Sequence, residues 1–140
     1  MNLDDLAREI NTLADEDYEL EIVVSYINDA IAAINIECDT IFPNFDLNDP
    51  SKEYTAFPEK WQRTLLIPFA VGRLKQLDSS QFEYTDAYNQ FLTNLVQFRR
   101  RFSIPEAYKD KTAKPHFVQE DLYNNPFAWN KKPKDYNPLG

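Results

Sequence analysis

The side chains able to do chemistry in this chain are few and scattered. Cys38 and His116 are its single cysteine and single histidine, and they fall in unrelated segments. A zinc centre needs clustered His, Cys or carboxylate ligands, so one chain offers none. A nucleophilic triad would need His116 as base and a serine on a strained G-x-S-x-G turn, and the sequence has no such turn. Acidic groups are plentiful, as in Asp4-Asp5 and Asp15-Glu16-Asp17. Both sets stand where helices are expected to begin, where acids stabilise the macrodipole. Acid/base work would require a desolvated pocket that raises a carboxyl pKa, and nothing in the pattern creates one. The sequence therefore predicts no catalytic residue, no metal ligand and no cofactor, and a protein that is not an enzyme.

What remains is chemistry of contact. Arg99, Arg100 and Arg101 form the chain's basic run. Three successive helical positions cannot all face one nucleic-acid groove. With a pI near 4.6 the chain as a whole lacks a counterion-release drive toward DNA. The arginines instead complement the negative end of a helix dipole and offer forked donors to a partner's carboxylates. A second contact set lies beyond them. Residues 103–140 carry five of the nine prolines together with Tyr108, Phe117, Tyr123, Phe127, Trp129 and Tyr136. A disordered linker is normally poor in rings. These rings, together with the three arginines, are the candidate partner-binding residues; the arm would dock on a partner or fold back on its own helices, one ring per pocket.

The elements that would position these groups read as helices. Leu3, Leu6, Ile10 and Leu13 recur at spacings of three and four and predict a short amphipathic helix. A second helix is expected from about Asp17, its cap, to Glu37, with a stripe through Ile22, Val23, Tyr26, Ile27, Ala30, Ile31 and Ile34 that makes it the central helix of a bundle. Residues 38–57 are rich in turn formers, and Ile41, Phe42, Phe45 and Leu47 predict that this long loop folds back, as a short hairpin. A third helix is expected from Pro58, buried through Trp61, Leu65, Leu66, Phe69, Ala70 and Leu74. Pro68 inside it removes a ladder hydrogen bond and predicts a kink near Thr64–Leu65, while Gly72 would admit a neighbouring backbone. A hinge at Leu77-Asp78-Ser79-Ser80 and a Ser80–Glu83 capping box lead into a fourth, antiparallel helix with apolar positions at Tyr84, Tyr88, Phe91, Leu92, Leu95, Phe98 and Phe102. The expected fold is all-α: a small bundle of about four helices over residues 1–102, a long loop after the second helix, and an extended aromatic and proline-containing arm over 103–140. Tyr18, Ile27, Trp61, Leu66, Phe91, Leu95 and Phe98 are the expected core.

Composition agrees. At 140 residues the chain fits one domain with a real core. Only two glycines argue against phosphate-cradling loops and tight-turned β sandwiches. The lone cysteine fits a reducing compartment, and no apolar run approaches roughly 18 residues, so no membrane span is expected. Charge is uneven: residues 1–60 sum to −12 and residues 61–140 to +4, counted over the sequence. Such asymmetry fits copies packing head to tail, or simply two solvated faces.

One stretch carries a resemblance. W-Q-x-x-L-L-I-P-x-A-x-x-R-L, beginning at Trp61, is followed by a hinge with S-x-x-E-Y from Ser80 and an aromatic helix ending in basic residues. With the long loop and the second helix before it, this resembles the head–tail connector (adaptor) proteins of tailed bacteriophages over roughly residues 17–102. The resemblance implies a structural virion protein without catalysis, repeated in a ring usually of about twelve copies beneath the portal. Implied partners are the portal protein, tail-side completion or stopper proteins, and further copies of itself, with DNA passing through unread and no membrane contact. Its place would be the head–tail junction of the virion, after assembly in the host cytoplasm. The rival expectation is a small cytosolic protein-binding or regulatory module that captures one partner with its aromatic arm.

Overall fold

The computed structural model describes residues 1–77 and 81–113. Among them, four α-helices stand in the order α1 (Leu3–Ala14), α2 (Leu20–Cys38), α3 (Glu59–Leu77) and α4 (Gln81–Arg101), with a 3-10 turn at Glu106–Tyr108. The fold is an all-α bundle, and among the described residues there is no strand, only isolated bridges at Asn2–Glu53 and Thr40–Lys109. No helix is long and apolar enough to cross a membrane among the described residues. The chain divides into two units, Met1–Asp110 and Lys111–Gly140. The four helices and the 3-10 turn all belong to the first.

The first two helices start differently. Asn2 caps α1, its side-chain oxygen accepting from the Asp5 backbone N–H at 2.8 Å. The α1–α2 turn is not capped by Asp17. α2 begins two residues later, after Glu19, which makes no side-chain cap. Asn11 pins the turn instead: its amide oxygen accepts from Tyr18 N–H at 3.2 Å and its amide nitrogen donates to Tyr18 O at 3.3 Å. With Tyr18 held in this turn, the helix starts at Leu20, beyond Asp17. The Ser80–Glu83 box lies partly outside the described residues, since Ser80 is not among them.

The central element is α3, which packs on each of the other three helices, rather than α2. Its pairing with α4 is antiparallel and in one continuous register: Trp61 meets Phe98, Phe69 meets Phe91, and Lys75 approaches Glu83. Gly72 sets the spacing, because a Cβ there would sit 2.8 Å from Ala87 Cβ. Only a residue without a side chain allows that approach. Arg73 ties α3 to α2 with its guanidinium 4.8 Å from the Tyr26 ring centre and 3.5 Å from Asp29.

The core comprises Leu3, Leu6 and Ile10 of α1, the Val23–Ile34 stripe of α2, Leu65, Leu66, Phe69 and Leu74 of α3, and Phe91, Leu95 and Phe98 of α4. Ile27, Trp61, Leu66, Phe91, Leu95 and Phe98 are buried as expected, while Tyr18 is half-buried at the edge. Two expected apolar positions turn outward: Leu13 is 59% exposed, and Ile22 is 38% exposed. On α4 the stripe is narrower than expected. A helix whose main neighbour is a single helix buries one row, here Phe91, Leu95 and Phe98, so Tyr88 and Leu92 remain on the outside.

The long loop between α2 and α3 is not a hairpin. Two asparagines of α2, one seven residues after the other on the same face, hold it by its backbone. Asn28 bonds both the N–H and the C=O of Phe45, at 2.8 and 3.2 Å. Asn35 does the same for Phe42, at 2.9 and 3.1 Å, and also accepts from Thr40 Oγ. The loop's rings then enter an aromatic cluster around Phe98, which has Phe102, Trp61 and Phe57 at 5.0, 5.4 and 5.5 Å between centres. Gln62 closes the far end of the loop, buried, with its amide nitrogen donating to Tyr54 O and Phe57 O at 2.9 and 2.7 Å.

The compact unit also runs past Phe102, where the sequence places the start of an arm. Ile41 N–H donates to Tyr108 O at 2.8 Å and Asp110 N–H to Asp39 O at 2.9 Å, while the Tyr108 ring lies 5.3 Å from Phe42. Residues 103–110 are thus a strap over the α2–α3 loop of their own unit.

Candidate functional site

The three arginines occupy the last turn of α4, all exposed. Arg101 Nε donates to Gln97 Oε1 at 3.2 Å. Among the described residues none of the three has a carboxylate within ion-pair distance. Other cations of the basic half are already engaged inside the chain: Arg63 pairs with Glu9 and with Glu59, and Arg73 with Asp29. Internal pairing therefore absorbs part of the charge asymmetry and leaves the α4 terminus as a concentrated cationic end.

Arg99 also lies close enough to the C-terminal end of α2 to act on Cys38. Burial pushes the Cys38 thiol up to about 11; Arg99 works against that rise, and Glu37 and Asp39 add to it. A thiol so shifted is a poor nucleophile at neutral pH. Tyr54 is likewise raised by burial and by the neighbouring Tyr108, and its hydroxyl donates to Pro43 O at 2.7 Å.

Outward of the arginines, Tyr88, Leu92 and Val96 continue the exposed side of α4 at one-turn intervals, with Val96 46% exposed. Apolar spacing alone does not reveal this exposed row leading into a basic end. A signal for it does exist, since no acid occurs between Ala87 and Phe102.

A second charged surface lies at the α1–α2 corner. Asp15, Glu16, Asp17, Glu19 and Glu21 fall within seven consecutive positions that contain no base, and all are exposed. Asp15 adopts φ 58° as the left-handed cap of α1 and turns the chain there. A surface groove of about 610 Å³ opens at this corner, lined by Asp15, Glu16, Asp17, Arg8, Asn11 and Tyr18 among others. Leu13 and Ile22, on either side of these acids in sequence, are exposed.

The arm divides at the edge of the described residues. Tyr108 is half-buried against Phe42 of its own unit, with its carbonyl bonded, so it serves the fold. Phe117, Tyr123, Phe127, Trp129 and Tyr136, with His116, lie outside the described residues. Among the described residues no group of three His, Cys, Asp or Glu side chains could hold a metal ion. No protein-family model, no curated protein and no solved structure matches this chain.

Proposed function

We propose that this chain is a structural subunit of a tailed-bacteriophage head–tail connector, repeated in a ring of about twelve copies beneath the portal. The proposal is supported above all by the Trp61–Leu74 segment. Its polar and irregular residues fix helices to one another: Gln62 holds the loop, Arg73 clamps α2, and Gly72 seats α4. Pro68 is accommodated by α4, as Asn94 Nδ2 donates to Thr64 O at 3.1 Å. Such a segment builds a rigid brick, with concentrated charge of opposite sign at two exposed ends. Its partners in this reading are the portal, a tail-side completion protein and neighbouring copies. An acidic chain lining the channel would let DNA slide without adhering, since like charge opposes phosphate binding.

The test is quantitative mass spectrometry of purified tailed particles from the phage that encodes the chain. The chain is expected there in a copy number matching that of the portal. Particles with tails attached that lack the chain would refute the proposal.

A further inference from the structure

We infer that the contact between neighbouring copies is made by the α4 end of one chain on the α1–α2 corner of the next. This rests on the assembling-subunit reading and names the surfaces that reading leaves open. The α4 end presents Leu92 and Val96 leading to Arg99 and Arg100, net positive, without a carboxylate partner among the described residues. The corner presents Leu13 and Ile22 beside five acids and an open groove. Each surface thus sets exposed apolar residues near an excess of charge, positive at the α4 end and negative at the corner, where Arg8 is outnumbered by the acids.

The two cannot satisfy each other within one chain. α2 runs between them: its C-terminal part lies by the α4 end, where Asn35 holds Phe42 and the Phe42 ring sits 6.3 Å from that of Phe98, and its N-terminal end is the corner. Nineteen residues of helix separate the two by about 28 Å. A surface whose complement lies at the opposite end of the same molecule makes a heterologous contact, which repeats head to tail and closes into a ring when the rotation permits. Forked arginine donors suit a cluster of carboxylates better than a lysine would, and apolar neighbours lower the local dielectric around the pairs.

Disulfide capture tests the contact with the full chain. In a Cys38→Ser background, one chain carries Leu13→Cys and a second carries Val96→Cys. Mixed at high protein concentration and low salt under mild oxidation, they should form the crossed dimer about tenfold more than a control pair of Leu13→Cys with Phe82→Cys, a position 83% exposed on the far part of α4. Adding Arg99→Glu and Arg100→Glu to the Val96→Cys chain should remove that excess, and Glu16→Lys with Asp17→Lys on the other chain should restore it. A crossed yield equal to the control, or one indifferent to charge reversal, overturns the proposal. Rings formed on a portal without the crossed product would sink this contact and keep the connector reading. A charge-dependent crossed product from a chain absent from virions would keep the contact and sink the connector.

Discussion

Asn94 Nδ2 donates to the Thr64 carbonyl at 3.1 Å, and that carbonyl is the one Pro68 leaves without its helical donor. A defect in α3 is thus repaired from α4, and the repair fixes the register of the pair. Replacing Asn94 by alanine should cost about 1–2 kcal/mol, the usual penalty for an unsatisfied, partly buried carbonyl. In a Pro68→Ala background the backbone N–H returns, and the Asn94→Ala cost should fall below about 0.5 kcal/mol. Urea unfolding of the four chains measures this; equal costs in both backgrounds would show that Asn94 acts by another route.

Gly72 is limited by space alone. An alanine there gains about 0.5–1 kcal/mol of helix propensity. Overpacking against Ala87, 2.8 Å from the new methyl, should cost more, about 1–3 kcal/mol. The expected sum is a net loss, recovered in part by Ala87→Gly in the same chain. A Gly72→Ala variant more stable than the parent would refute the close approach.

Gln62 is buried and holds two backbone carbonyls. Gln62→Leu keeps the volume and leaves Tyr54 O and Phe57 O without donors, so about 2–4 kcal/mol should be lost. Because those carbonyls end the loop, faster hydrogen exchange should appear first over residues 42–58. A uniform increase over all helices would contradict this assignment.

Cys38 gives a pH signature. Its thiol titrates near 11 in the folded chain against an ordinary value of 9.0. The folded state therefore holds its proton longer, so its stabilising share is complete below pH 9 and is lost as pH rises toward 11. Cys38→Ser should flatten the stability decline across that window, with Tyr54 contributing to the remaining decline at still higher pH. Alkylation of the parent by iodoacetamide should stay slow at pH 8. Rapid labelling there would contradict the burial.

The periodic parts of this fold are legible in the sequence because burial follows spacing. Apolar repeats alone are enough to place α1, α3 and the Phe91, Leu95 and Phe98 row. The close approach at Gly72 is readable too, since glycine is rare in this chain. The loop is not. Its conformation depends on Asn28 and Asn35, two side chains that bond backbone distant in sequence, and propensity carries no information about such bonds. Two asparagines seven apart, on one face of α2, are the available clue. Tyr108 reads as part of the arm because its proline-rich context hides a pairing with Ile41 that only the fold creates. The cationic end is visible as Arg99–Arg101, but its apolar approach through Leu92 and Val96 depends on α4 having one main neighbour.

Whether this chain is a connector subunit can be seen by electron microscopy of the full chain mixed with a phage portal protein. An added ring of this chain should stack on the portal's lower face, and it should be lost when Arg99 and Arg100 are reversed to glutamate. A portal that stays bare at saturating concentrations of a folded chain would contradict the connector assignment.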